Sequence, residues 1–319
     1  MTDGLETRCL RRAASGRWTS RLLLATVAMA LAWPQAALAE ALTVASFNIR
    51  YGTAKDGDNA WPKRRDLVFE TIRAMDADVL GLQEALAFQR EEIERAFPGY
   101  AAIGRGRNKG GGGEQCTILV RRDRVEVVAS GTFWLSDTPE SPASTHWGNR
   151  ITRICTWATL RDLKTGKAFT VLNTHFDHES QSSRLKSGTL LAARLPALCG
   201  DRPSVVMGDL NADEDNPAVE ALRGAGLRDT YRVKHPEVVD AGTFNGFEGR
   251  ADGRKIDYVL VSKEWDVSSA DIVRVHEDGR YPSDHFPVVA TVRVADGAEG
   301  APARGAVPAG AAPAACDSD

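Results

Sequence analysis

Apolar and β-branched residues gather in short runs between about residues 42 and 294, and their lengths and spacing set the expected elements. Leu42–Ile49 has the content of a strand. After Trp61-Pro62 a helix runs to about Met75, with Leu67, Val68, Ile72 and Met75 on one face and Pro62 near its first position. Val79–Leu82 reads as a short buried strand and Phe88–Phe97 as a second helix. Cys116–Val120 and Val125–Val128, joined by Arg121–Arg124, read as a hairpin. Ile151–Leu160 and Ala168–Asn173 form two more strands about the turn at Lys164-Thr165-Gly166. Ser180–Cys199 and Asn216–Gly224 are helices around the strand Ser204–Met207, and Ile256–Val261 and Val288–Val294 close the set. Strands outnumber helices and come mostly in hairpin-like runs. That predicts a mixed α/β (α+β) domain, with a sheet-on-sheet core and helices outside.

No linker divides this stretch, so residues 40–294 are expected to form one domain. The N-terminus stands apart from it. Arg8, Arg11, Arg12, Arg17 and Arg21 precede the apolar run Leu22–Ala32, and Ala37-Leu38-Ala39 follows. A basic region, a short apolar region and a small-residue site describe a secretory signal peptide over residues 1–39. The run falls short of the ~20 residues a spanning helix needs, so an uncleaved anchor is the lesser reading. Arg11-Arg12 makes only a weak case for twin-arginine export, because Ala13-Ala14-Ser15 lacks apolar character. Residues 295–319 are rich in Ala, Gly and Pro and are expected to form a disordered tail.

Without the first 39 residues the chain keeps 35 basic and 41 acidic residues. An acidic chain of this kind is ill suited to coating nucleic acid, which relies on a basic footprint. Cys116, Cys155, Cys199 and Cys316 have no framework spacing and no C-x-x-C, so small buried hydrophobes are the simpler reading for Cys116 and Cys155.

One design then recurs: an apolar strand ends in carboxylate, amide or imidazole. It occurs at Phe47-Asn48, Leu82-Gln83-Glu84, Asn173-Thr174-His175, Gly208-Asp209-Leu210-Asn211, Ile256-Asp257 and Ser283-Asp284-His285. Any one of these is explained by an ordinary strand end; six together point to a site built on rigid supports. Oxygen ligands without a thiolate cluster suit Mg²⁺ or Mn²⁺ better than structural zinc.

With Ser46-Phe47-Asn48-Ile49-Arg50, Asn173-Thr174-His175-Phe176-Asp177-His178, Ile256-Asp257-Tyr258-Val259 and Ser283-Asp284-His285-Phe286-Pro287, these segments resemble the endonuclease/exonuclease/phosphatase (deoxyribonuclease I-like) superfamily. They stand in that family's order across nearly all of residues 42–294, and Thr132-Phe133-Trp134-Leu135-Ser136 is similar to a secreted bacterial branch. The resemblance implies a four-layer α/β sandwich of two mainly antiparallel sheets packed face to face with helices outside. It also implies at least one Mg²⁺ (or Mn²⁺) ion and hydrolysis of a phosphoester.

Carried over residue by residue, the resemblance makes Glu84 the metal carboxylate, with Asn48 beside it and Asp284 at the same ion. Asp209 would align the attacking water, and Asn211 would donate to the transition state. Asp257 would orient His285, and His175 would reach the scissile phosphate or leaving oxygen. Arg50 departs from the pattern: some nuclease members carry an acidic ligand there, which puts a second metal position in doubt.

Weaker candidates surround this set. Arg153 and His178 are candidate phosphate contacts, and Trp147 and Phe244 candidate stacking residues at the rim. Trp134 and Phe247 divide between stacking and packing. Lys109 with Gly110–Gly113 reads as a flexible loop before a phosphate nest, and Arg105, Arg107 and Lys109 as either a cationic rim or solvated charge. His146, His235 and His276 read as structural or exposed.

The leading expectation is an exported phosphodiesterase or phosphatase acting on a small or lipid-like phosphoester, without a stable membrane span. An exported nuclease on nucleic acid is the alternative, and a non-catalytic binding module is disfavoured by the intact residue set. If Ala37-Leu38-Ala39 is the processing site, intact-mass measurement of the exported protein will give an N-terminus at Glu40. Retention of residues 1–39 would support the anchor instead.

Overall fold

The computed structural model describes residues 40–295, so the expected signal peptide and nearly all of the expected tail lie outside the described residues. Twelve strands form two six-stranded mixed sheets. The first has the order β11-β12-β1-β2-β4-β3, from Trp265–Ile272, Val288–Val294, Leu42–Asn48, Val79–Ala85, Gln115–Arg121 and Tyr100–Ile103. The second has the order β5-β6-β7-β8-β10-β9, from Val125–Trp134, Ile154–Asp162, Ala168–His175, Ser204–Asp209, Asp257–Val261 and Arg228–Asp229.

Each sheet holds one parallel pair, β1 with β2 and β7 with β8, and the other pairings are antiparallel. A parallel pair needs a long crossover, and a helix supplies each. Helix α1 (Trp61–Met75) joins β1 to β2, and α3 (Gln181–Cys199) joins β7 to β8. Three further helices are α2 (Ala87–Ala96), α4 (Pro217–Gly224) and α5 (Thr230–Lys234).

The layers follow from strand alternation, because successive side chains point to opposite faces. Leu42 and Val44 of β1, Phe169 and Val171 of β7, Val205 and Met207 of β8, and Val259 and Val261 of β10 share one core between the sheets. Ala45 and Phe47 face the other way and pack with Val68 and Ile72 of α1 and Ile93 of α2. Leu172, Val206 and Leu260 do the same against Leu191 and Leu195 of α3 and Leu222 of α4. The result is a two-sheet sandwich with helices on both outer faces, as expected.

One expected pairing is wrong. β4 and β5 do not form a hairpin: β4 pairs with β2 and β3, and β5 pairs with β6 in the other sheet. The connection Arg121–Arg124 looks like a hairpin turn but crosses between sheets. Arg124, buried in it, pairs with Asp162 of β6 and donates to the Ala41 carbonyl at 3.2 Å. Strands β3, β9 and β11 and helix α5 had no counterpart in the sequence reading. Cys116, Cys155 and Cys199 are buried and unpaired. Among the described residues no helix is long and apolar enough to cross a membrane.

The parity that fills the central core also aims the polar strand ends. Asn48, Gln83, Asn173, His175, Asp209 and Asp257 continue the inward-facing positions of their strands, so they meet at one end of the space between the sheets. Gly208 makes this approach possible. Its φ is 147°, and a Cβ there would stand 2.0 Å from the Thr174 carbonyl oxygen of the parallel neighbour β7. Gly208→Ala is therefore expected to destabilise the fold by about 3 kcal/mol or force β7 and β8 apart. A urea midpoint equal to the wild type's would refute this.

Candidate active site

At the polar end of the core lies a cleft of about 760 Å³, lined by Glu84, His175, Asp209, Asn211, Asp284 and His285 among others. The first sheet brings Asn48 at the end of β1 and Glu84 near the end of β2. Glu84 sits at a positive φ of 62°, where the β2–β4 register slips, and this turns it out of the strand's alternation. The second sheet brings His175, Asp209 and Asp257. The loop before β12 brings Asp284 and His285.

Asn48 joins the two sheets. Its Nδ2 donates to Glu84 Oε1 at 3.2 Å and to Asp209 Oδ2 at 3.0 Å, while its Oδ1 accepts from the Arg50 amide at 3.0 Å. Ser283 Oγ donates to the Asn48 carbonyl at 2.7 Å and ties the Asp284 loop to β1. Arg64, buried on α1, donates to the carbonyls of Ile49, Arg50, Asn59 and Pro282 at 2.7 to 2.9 Å. These bonds fix the loops that flank the metal-side carboxylates. Beneath them, Gln83 Nε2 donates across the sheets to Asn173 Oδ1 at 2.7 Å.

Asp257 Oδ2 lies 2.9 Å from His285 Nδ1, and Asp209 Oδ2 lies 3.8 Å from His285 Nε2. Burial disfavours the imidazolium, but Asp257 and Asp209 outweigh it and hold the His285 pKa well above its ordinary value. These neighbours favour the imidazolium form of His285. Burial, and next the charge of Asp257, push the Asp209 carboxyl up to about 7 despite His285.

His175 is the opposite case. Burial, then Arg153 and Arg107, hold its pKa well below the ordinary value, so the ring is neutral. Asn211 Nδ2 lies 3.1 Å from His175 Nε2 and donates to the Phe176 carbonyl at 3.1 Å. The same Nε2 lies 3.4 Å from Asp209 Oδ2, so it stands between an amide and a carboxylate. Asn211 thus lines the cleft with its amide against His175 and the Phe176 carbonyl.

The outer candidates divide. Phe244, 43% exposed, lines the cleft with its ring edge-on to His285 at 5.1 Å. Arg153 and His178 line it too, with Arg153 Nη2 donating to His178 Nδ1 at 2.9 Å. Trp147 does not. It is buried in the core beneath α3, with its Nε1 donating to Asp137 at 2.6 Å, because the aromatic bulk is more stable in packing than at the rim. Trp134 is buried as well.

Of the possible cationic rim Arg105, Arg107 and Lys109, Arg107 lines the cleft, and the sequence reading missed Arg50, Tyr51, Glu114 and Arg254 as lining residues. It also missed Arg64, whose signal was a basic residue on the apolar stripe of α1.

The donor set suits a divalent cation. Glu84, Asp209, Asp257 and Asp284 crowd one end of the cleft, and burial, countered in part by His285, raises the Asp284 carboxyl. An anionic substrate would meet a negative field there unless a cation were added. Glu84 and Asp284 supply the hard oxygen ligands that Mg²⁺ or Mn²⁺ prefers, and Asn48 stands beside Glu84 with its Oδ1 on the Arg50 amide. Asp209, Asp257 and His285 also have ligand atoms within 4.8 Å of one another and form a second group that could hold an ion.

Residues 45–285 match the family model described as Endonuclease/Exonuclease/phosphatase family. The chain is 33% identical to an endonuclease/exonuclease/phosphatase from Bacteroides vulgatus, whose structure superposes with a TM-score of 0.74 over 80% of this chain and 99% of that one. It is 30% identical to the mannosyl-6-phosphatase of Bacteroides thetaiotaomicron, with a TM-score of 0.72 over 79% of this chain and 99% of that one. Among curated sequences it is 23% identical to Nocturnin of Drosophila melanogaster over 72% of this chain. It spans between 30% and 60% of the length of the curated relatives it matches.

If Asp257 keeps His285 charged, Asp257→Asn will bring the His285 pKa down, since burial alone favours the neutral ring. Titration of the imidazole by NMR in metal-free protein checks this. An imidazole still charged at pH 7 in the variant would remove the dyad from the argument.

Proposed function

The chain belongs to the Endonuclease/Exonuclease/phosphatase family, and on that premise we propose that it is an exported, divalent-metal-dependent hydrolase of a small phosphoester. The observation that carries this reading is the convergence of Asn48, Glu84, His175, Asp209, Asp257, Asp284 and His285, from both sheets and one loop, on a single cleft. A cleft of about 760 Å³ is of a size for a small-molecule substrate. A relative covered over 99% of its own chain is named as a mannosyl-6-phosphatase, which agrees with a small substrate. Export rests on the N-terminal sequence pattern.

Glu84 and Asp284, with Asn48 beside them, would hold the ion, which when bound would polarise a phosphoryl oxygen and screen its charge. The remaining steps belong to the chain. Asp209, its carboxyl raised toward neutrality by burial and the charge of Asp257, orients a water and accepts its proton. His285, its charged form favoured by Asp257, donates from Nε2 to a phosphoryl oxygen as charge develops there. His175, neutral and fixed by Asn211, gives the leaving group a donor without adding positive charge. Phe244 offers a face to the leaving group beside His285.

A nucleic-acid substrate is less favoured. At the cleft, Arg107 is held by Glu114 through two 2.7 Å bonds and Arg254 by Asp213 at 2.9 Å, so these cations are already neutralised. A backbone-binding surface needs free basic residues.

Activity is expected to require a divalent cation and to fall by about 10²-fold or more in Glu84→Gln, which keeps the side-chain volume but loses an anionic ligand. The assay panel is p-nitrophenyl phosphate, bis-p-nitrophenyl phosphate, sugar phosphates and nucleic acid, with Mg²⁺ or Mn²⁺. Full activity after dialysis against EDTA contradicts the metal requirement, and preference for nucleic acid contradicts the small-substrate reading.

A further inference from the structure

One charged group at the cleft has no part in the scheme above. Arg50 follows Asn48 by two residues and takes a positive φ of 56°. Its side chain is held tightly for a residue 28% exposed. Nε and Nη2 donate to Asp56 Oδ2 and Oδ1 at 3.1 and 3.0 Å, the fork-to-carboxylate geometry that fixes a guanidinium plane. The Tyr51 ring lies 4.9 Å from the guanidinium carbon. Its backbone is fixed as well: the carbonyl accepts from Arg64 Nη2 at 2.9 Å and Gln89 Nε2 at 3.0 Å.

Arg50 is also close to the proposed metal ligands. Nε stands 3.7 Å from Asp284 Oδ2, and the charge of Glu84 acts on the guanidinium too. Nη1 has no acceptor among the described residues, and the residue lines the cleft. An arginine staple for a surface loop needs none of this. A cation immobilised beside two carboxylates, with an uncommitted donor, has two physical effects. It satisfies part of the negative field that would otherwise attract further ions, and it offers a point of attachment to an anion.

We propose that Arg50 is a built-in second cation of this site: one divalent ion binds at Glu84 and Asp284, and Arg50 Nη1 donates to a non-bridging oxygen of the substrate phosphate. The inference rests on the metal-dependent phosphoesterase reading above. It predicts that metal affinity and catalysis respond to Arg50 in opposite directions. Removing the cation relieves its repulsion of the metal while taking a charged donor from the phosphate.

The test is calorimetric titration of the metal-free full-length protein with Mn²⁺, set beside kcat/KM on whichever of p-nitrophenyl phosphate and bis-p-nitrophenyl phosphate the wild type turns over. The wild type should bind one Mn²⁺ per chain. Arg50→Gln should bind Mn²⁺ about five-fold tighter and lose about 10²-fold in kcat/KM. Asp56→Asn, which keeps the cation but releases it, should lose about ten-fold in kcat/KM and bind Mn²⁺ no tighter than the wild type.

A merely structural arginine would weaken metal binding and catalysis together, and that result overturns the proposal. So does binding of two ions by the wild type, or a kcat/KM for Arg50→Gln within three-fold of the wild type. A wild type that neither binds Mn²⁺ nor hydrolyses any phosphoester fails at the earlier step and removes the functional reading itself.

Discussion

The arrangement depends on one amide. Asn48 is buried between the sheets, and its Nδ2 touches a carboxylate from each, Glu84 on one side and Asp209 on the other. Two ionised groups drawn into a low-dielectric space repel each other and resist burial. A donor shared between them is what lets both stay at the same end of the core. Every other element of the cleft is placed relative to that joint. Ser283 brings the Asp284 loop to the Asn48 backbone, and Arg64 locks the carbonyls on either side.

Charge is distributed across the cleft rather than spread evenly. Asp257 and Asp209 favour the charged form of one imidazole against its burial, while burial, then Arg153 and Arg107, favours the neutral form of the other. Two histidines of identical intrinsic chemistry are thereby assigned different tasks by what lies next to them. Glu84, Asp209 and Asp284 share the cleft with Arg107 and Arg153, Arg107 being paired with Glu114.

Much of this could be read from the chain because alternation is a local rule. A strand that faces a core at every second residue, and ends in Asn, His or Asp at the next position of the same parity, announces where that polar group points. This held for Asn48, His175, Asp209 and Asp257. Side chains outside strands obey no such rule. Arg50 reaches the cleft through a left-handed loop residue, and Arg107 and Glu114 arrive as a pair from the glycine-rich segment.

Trp147 fails for the reverse reason: neighbouring turn residues suggested the rim, but a side chain that large is settled by tertiary packing. The β4–β5 connection was misread because four residues can either turn a hairpin or cross between sheets, and only the partners of each strand decide which. Those partners, β2 and β6, lie far away in sequence.

The position of β12 has a consequence for how the molecule comes to exist. This last strand lies between β11 and β1, with Val292 opposite Leu42, so the first strand of the domain has no antiparallel neighbour until the final one has been made. His285 and Asp284 arrive only with that same segment. The first sheet therefore stays open along β1 until β12 is in place, and the domain closes through a long-range pairing. Pairing of β12 with β1 also brings in the segment that carries Asp284 and His285, so closing the sheet and completing the cleft are one event.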